Sequence, residues 1–310
     1  MKADKLRRHY KTDISGFTDW IQKKHAEDYL IFPQNIGPYL SIDEVALSQG
    51  ELYTFVTNKN GRGKSGTLVA SIKGTRSEDI IEVLQRLDLP SRKTVKEVTL
   101  DMAKNMESAI KMSFPDTCVV TDRFHVVKLV IEALQHIRIK YRWIAIDQEN
   151  ELIKQANEQG VKYKSKLFEN NDSPKQLLAR SRHLLSKSSD KWTVDQQQRA
   201  AILFREYPEI EMAYQHTIRF RNIYETKSRQ KAQTQLKDWI SQTADLNIKE
   251  FNSTARSITY HLENILNFFE NRSTNANAES FNSKIKLFRA NLRGVTDTCF
   301  FLFRLQKLFA

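Results

Sequence analysis

The chain has 310 residues, 40% of them apolar and 10% aromatic, with only 9 Gly and 6 Pro. That excludes a disordered or fibrous protein and leaves room for a sizeable core in one large or two ordinary domains. Lys and Arg number 49 against 37 Asp and Glu, and the net charge of +12 favours a polyanionic partner, nucleic acid first and an anionic membrane surface second.

No apolar run reaches the roughly 18 residues of a membrane span. MKADKLRRHYKTD lacks the apolar stretch of a signal peptide. Cys118 and Cys299 are the only cysteines and form no CxxC, which argues against a zinc module or a disulfide scaffold and fits a reducing cytosol.

Residues 2 to about 28 are predicted helical, with Phe17, Trp20, Ile21 and His25 on one face, and read as a packing arm in preference to a DNA-binding module. Two prolines and a glycine in IFPQNIGPYL end that helix. LSIDEVAL, ELYTFVTNK and GTLVASIKG, divided by SQG and GRGKSG, predict three strands of an antiparallel meander. SEDIIEVLQRL is a helix with Ser77 as its N-cap. A strand (VKEVTL), a helix (NMESAIKMSF, closed by Pro115), a strand (TCVVT, with Cys118 as a small buried side chain) and a long helix (DRFHVVKLVIEALQHIRIKYRW) follow.

The order β-β-β-α-β-α-β-α mixes a meander with crossovers, so the fold class is α/β with a mixed, helix-covered sheet. From about 145 to 265 no strand is predicted. LLARSRHLLSK, VDQQQRAAILFREY, IEMAYQHTIRFRNIYE and KAQTQLKDWISQ read as helices broken at Gly160, at NNDSPK and at Pro208.

Asn275 to Arg293, NANAESFNSKIKLFRANLR, is an amphipathic helix. Asn275, Glu279, Asn282, Lys286, Arg289 and Arg293 recur at helical spacing on one face, and Phe281, Ile285, Phe288 and Leu292 on another. On pattern alone this polar face reads first as the solvated side of an ordinary surface helix; the alternative is that it offers one carboxylate to a metal ion and a ladder of cations to a phosphate backbone.

Three acids stand where a strand end or a helix face meets the sheet: Asp43 in the first strand, Asp101 ending the fourth, and Glu279. The RNase H fold has this strand order and carries carboxylates at these places, where two Mg²⁺ ions flank a scissile phosphate.

SIDEVALSQGELYT, VTLDMAKNMESAIKMSFPDTCVVTDRFHVVKL and NRSTNANAESFNSKIKLFRANLRGV resemble bacterial insertion-sequence transposases of the DDE, RNase H-like kind, over about residue 38 to the end. The resemblance implies hydrolysis at the element's ends to free a 3′-OH, which then attacks target DNA. It implies Asp43, Asp101 and Glu279 as catalytic metal ligands for Mg²⁺, with Mn²⁺ as a substitute. It implies double-stranded DNA as partner, a homodimer on DNA and a cytoplasmic, nucleoid-associated location.

The domain expectation is an N-terminal arm (1–38), an RNase H-like core (39–144 and 266–310) and an all-helical insertion (145–265). Without an N-terminal zinc finger, end recognition falls to a separate polypeptide or to the insertion.

Asp101 and Asp122 both close strands and precede helices, so each can be an N-cap. The fold's topology favours Asp101, leaving Asp122 and His125 as a second-shell or alternative pair. Glu44 points to the other side of its strand.

Expected DNA contacts are Asn282, Lys284, Lys286, Arg289 and Arg293 on or beside the Glu279 helix, and Arg62 and Lys64, with Lys59 and Ser65, in a second basic turn. That turn contains GRGKS but lacks the GxxxxGK[ST] spacing and lies in a hairpin, so it is no nucleotide-binding loop. Arg138, Lys140, Arg142 and Trp143 combine cations with an aromatic able to stack on a base, but packing of Trp143 within a helix is the preferred reading. Two rivals from other classes remain: a non-catalytic DNA-binding derivative, and an RNase H-like nuclease, such as a junction resolvase, that cuts without joining.

Overall fold

The computed structural model describes residues 3–48 and 50–310, and of Ala3, Asp4 and Ser48 the backbone alone. Two compact units emerge. The first combines Met1–Asp122 with Glu263–Ala310, and the second is Arg123–Leu262.

The first unit is built on a six-stranded sheet of order β1-β4-β3-β2-β5-β6, with β1 (Tyr29–Ile31), β2 (Tyr39–Ser48), β3 (Glu51–Asn58), β4 (Leu68–Lys73), β5 (Glu97–Leu100) and β6 (Cys118–Thr121). Strands β1 to β4 pair antiparallel, while β5 and β6 run parallel to β2. This is the mixed sheet of an RNase H-like α/β core. Its helices are α1 (Ala3–His9), α2 (Ser77–Leu84), α3 (Leu89–Lys93) and α4 (Lys104–Ser113). The second unit holds α5 (Arg123–Glu158), α6 (Pro174–Arg180), α7 (Val194–Glu206), α8 (Pro208–Ile223), α9 (Arg229–Leu246) and α10 (Lys249–Tyr260). The chain then returns to the first unit through α11 (Leu262–Asn271), α12 (Ala276–Asn291) and α13 (Thr298–Phe309).

Side chains alternate across a strand, and here the alternation sorts two cores. Leu40 and Ile42 of β2 and Val98 and Leu100 of β5 join Ile80, Leu84, Met106 and Ile110 of α2 and α4 on one face. Val45 and Leu47 of β2 join Phe281 and Ile285 of α12 and the Phe300–Phe309 run of α13 on the other.

Some local expectations are revised. Residues 3–28 are not one helix. Gly16 adopts φ +78°, a left-handed conformation that favours glycine, and the chain turns there, so Phe17 and Trp20 are buried while Ile21 is 93% exposed. Phe17 and Trp20 lie edge-on to Phe303 of α13 at 5.3 and 5.2 Å, which makes the segment an arm held on the aromatic core. Cys118 is exposed, because it opens an edge strand whose next residue, Val119, turns inward. Arg76, not Ser77, is the N-cap of α2.

The three-residue β1 and the five-residue α3 have no counterpart among the expected elements. Helix α5 runs unbroken through residues 144 and 145 as far as Glu158. Trp143 is 62% exposed, so the packing read for it is corrected: the inner face of α5 is Val126, Val130, Leu134, Ile137 and Arg138, and position 143 turns outward. Among the described residues no helix is long and apolar enough to cross a membrane.

Candidate metal centre

The parallel ladders bring three aspartates level. Ser41 of β2 pairs with Thr99 of β5, and Thr99 with Val120 of β6. Two residues further along each chain stand Asp43, Asp101 and Asp122, at the C-terminal ends of β5 and β6 and beside them within β2. Because the period is two, all three share the face opposite Leu40, Ile42, Val98 and Leu100, which is the face that α12 covers.

Helix α12 crosses this row. Asn282 Nδ2 donates to Asp43 Oδ2 at 2.7 Å, and the backbone N–H of Asn275 donates to Asp122 Oδ1 at 3.3 Å. Glu279 lies between them in sequence on the same helical face, one turn from each. Its carboxylate comes within 4.8 Å of that of Asp122. Asp122 is buried, Asp43 and Asp101 are half-buried and Glu279 is exposed.

Asp101 Oδ1 accepts the N–H of Ala103 at 2.8 Å, which shapes the turn into α4, and Asp43 Oδ1 accepts that of Glu44. Glu44 points to the other face, yet its carboxyl is held above the usual carboxylate range, first by burial and then by the charges of Asp101 and Asp43. His125 stands in the first turn of α5, in the second unit, its ring edge-on to Phe124 at 5.4 Å.

The donor chemistry fits a hard divalent cation. Asp122 and Glu279, whose carboxylates approach one another, and the aspartates level with Asp122 offer oxygen alone. The surrounding amides add an orphan set: both side-chain polar atoms of Asn275, 0% exposed, and Oδ1 of Asn282, 7% exposed, have no hydrogen-bond partner. Buried amide groups are seldom left so, and a hydrated ion with its waters would supply partners.

Beneath the row lies a residue that sequence reasoning took for a DNA contact. Lys59 is 11% exposed and donates to Glu97 Oε1 at 3.0 Å and to Thr99 Oγ1. Glu97 and Thr99 precede Asp101 on the same face of β5. Burial holds the Lys59 ammonium below its ordinary value even though Glu97 and Asp122 draw it the other way.

The expected DNA contacts divide in two. Lys286 and Arg293, like Arg62 and Lys64, are exposed. Lys284 donates to the carbonyl of Gly63 at 2.6 Å and Arg289 to that of Ala46 at 3.0 Å, while Asn282 is engaged by Asp43. The Lys284 bond joins what reads in sequence as two separate basic segments, since it ties the Arg62–Lys64 turn to α12. Ser65 Oγ donates to the Ala310 carbonyl at 2.9 Å and faces α13. By sequence Asn275 lies on the Glu279 face and Lys59 in the basic turn, but the bond of Asn275 to Asp122, the burial of Lys59 and its partner Glu97 were not anticipated. Only the alternation of Glu97, Thr99 and Asp101 along β5 could have suggested the last of them.

An RNase H-like core with carboxylates gathered at the ends of its parallel strands, under a helix that contributes a further acid, defines a class of metal-dependent enzymes acting on nucleic acid. The particular family is given by sequence comparison: a transposase family model, the ISL3 type of DDE transposase, matches residues 40–305. The chain belongs to this family of insertion-sequence transposases, proteins of DNA transposition and recombination. No curated protein matches the sequence.

Proposed function

We propose that this chain cuts DNA at the ends of its insertion sequence and joins the freed end to target DNA. The observation that carries this reading is the level row of Asp43, Asp101 and Asp122 with Glu279 laid across it by α12. In the first step a water oxygen attacks the end phosphorus, and the bond to the 3′ oxygen breaks to leave a 3′-OH. In the second that 3′-OH attacks a target phosphodiester, and the target's own 3′ oxygen leaves.

Asp43, Asp101 and Glu279 would hold Mg²⁺, or Mn²⁺ in its place; when bound, the pair of ions activates the attacking oxygen and stabilises the leaving one. Asn282 keeps Asp43 in one orientation, and the cations of α12 and the Arg62–Lys64 turn seat the backbone. The reading extends to an RNase H-like core interrupted by a helical insertion, to a homodimer that holds two ends at once, and to end recognition by the insertion or by a separate polypeptide.

A second reading, with Asp122 in place of Asp101, is favoured by the closeness of Asp122 to Glu279 and by the turn that already engages Asp101. In that reading His125, three residues after Asp122, is the nearest nitrogen donor in sequence.

The test is Mg²⁺-dependent cleavage of DNA carrying the element's flanking ends. Native protein is compared with Asp101→Asn, Asp122→Asn and Glu279→Gln. Loss in the first and third with survival of the second supports the Asp101 set, and an inactive Asp122→Asn with an active Asp101→Asn selects the alternative. Native protein that binds these ends under all metal conditions but never cuts them would leave a non-catalytic DNA-binding protein, and cutting without joining would leave a nuclease.

A further inference from the structure

Within the second unit Arg138 is only 5% exposed. It donates from Nη1 to the Leu178 carbonyl at 3.0 Å and from Nε to Gln135 Oε1 at 2.7 Å, and Gln135 in turn donates to the Arg182 carbonyl at 3.0 Å. Arg142 follows Arg138 by four residues on α5, one turn along the same face. Arg142 and Arg182 are both exposed. Among the described residues no carboxylate pairs with any of the three.

Burial, then the charges of Arg142 and Arg182, hold the Arg138 guanidinium below its ordinary value, so these cations sit close enough to repel. Gathering two exposed cations around a buried third, with no carboxylate paired to any of them, costs stability unless an anion arrives to lie against them. Beside this cluster, about 100° round α5 from Arg142, Trp143 is 62% exposed, flanked by Ile139 at 38% and Ile144 at 42%. An exposed indole next to unpaired guanidiniums is the pairing that single-stranded nucleic acid requires, a cation for the phosphate and a ring for the base.

We propose that the helical unit carries a second DNA contact, in which Arg142 and Arg182, backed by Arg138, hold a backbone phosphate and Trp143 stacks on an unpaired base next to it. The proposal rests on the reading of DNA as the substrate. It assigns the insertion the task of holding a frayed or unstacked stretch of strand, apart from the carboxylates that do the chemistry. DNA is favoured over an acidic protein or membrane because the patch combines a forked phosphate site with a flat aromatic face.

The test is fluorescence anisotropy with full-length protein and a labelled duplex bearing a single-stranded overhang, against the same duplex blunt-ended. An Asp43→Asn background with EDTA removes any contribution from metal chemistry. The native patch should prefer the overhang. Trp143→Ala should lose that preference by about tenfold or more. Arg142→Ala with Arg182→Ala should weaken binding and lower the slope of log affinity against log salt by about one to two. Lys237→Ala, at an exposed position of α9, should change neither.

Circular dichroism checks that the exposed-site variants fold. Native affinity and salt slope in both patch variants would overturn the proposal while leaving the cleavage reading standing. Tighter binding of the matching RNA than of DNA, with the same dependence on Trp143, would overturn it in favour of an RNA site. Native protein that binds no DNA at all would overturn both readings together.

Discussion

Asn282 and Asp43 are 239 residues apart in sequence and 2.7 Å apart in space, joined by a bond from amide to carboxylate. That bond fixes one oxygen of the acid from a helix that also carries Glu279. A hydrogen-bonded partner orients a metal-binding carboxylate, and its loss typically costs about 10- to 100-fold in metal affinity. Asn282→Ala should therefore weaken Mn²⁺ binding by that order, read by electron paramagnetic resonance of free Mn²⁺ during titration. Asn282→Asp, which sets a like charge against Asp43, should alter affinity without restoring the oriented bond. Native affinity in Asn282→Ala would mean that Asp43 is not a ligand or needs no orienting.

Lys59 and Glu97 form an ion pair that is almost wholly buried. Removing one partner strands the other charge, at a cost of about 3–5 kcal/mol. Lys59→Met should show a loss of this size in urea unfolding. Lys59→Met combined with Glu97→Leu should recover most of it, since a buried pair is often replaceable by apolar groups. If the double variant is no better than the single one, the pair is bound up with the acids above it in a way that packing does not replace.

His216 sits in the second unit with its ring stacked on Trp239 at 4.4 Å and Nε2 on Thr243 Oγ1 at 2.7 Å. Burial, with Arg219 adding to it, pushes its pKa down to about 4. The unfolded chain, with a value near 6.5, takes up the proton first. The stability this imidazole contributes is complete well above about pH 6.5 and is lost as pH falls toward 4, by at most about 1.4 kcal/mol per pH unit. Urea unfolding followed by tryptophan fluorescence at pH 7 and pH 5 measures the loss. His216→Gln should flatten it, and an unchanged slope would assign the acid sensitivity to other groups.

Gly63 has φ +68°, and a Cβ there would fall 2.7 Å from Lys284 Nζ. Gly63→Ala should cost about 1–2 kcal/mol through the backbone alone. The lysine end is flexible and will swing aside, so the variant should also release the turn from α12. DNA affinity should fall in Gly63→Ala and in Lys284→Ala alike. A loss of stability with native affinity would confine the bond to a structural role.

Much of the core was legible because it rests on local patterns. The alternation in LSIDEVAL and ELYTFVTNK yields β2 and β3, and the spacing of Phe281 and Ile285 places the inner face of α12. The carboxylate row was legible as candidates, since a strand end followed by a helix marks Asp101 and Asp122 alike. That Glu279 comes close to Asp122 depends on where α12 lies over the sheet, and a spatial distance leaves no local trace.

Lys59 shows the same limit from the other side. A lysine in a basic turn reads as a surface cation until the sheet places Glu97 beneath it. Trp143 was misread because an aromatic in an amphipathic stretch usually faces inward. Only the burial of Val130, Leu134 and Ile137 shows which side of α5 is inside.

The row of aspartates and the helix that crosses it come from distant parts of the chain, Asp122 and Asn275 being 153 positions apart. At about 5–20 residues per second of synthesis, roughly ten to thirty seconds pass before α12 can emerge after β6. During that interval the nascent sheet shows Phe55 and Leu68 bare on the face that Phe281 and α13 later cover. All three aspartates are synthesised well before Glu279. A nascent chain thus leaves this apolar sheet face uncovered until α12 and α13 dock, and the same docking brings the Glu279 carboxylate up to Asp122.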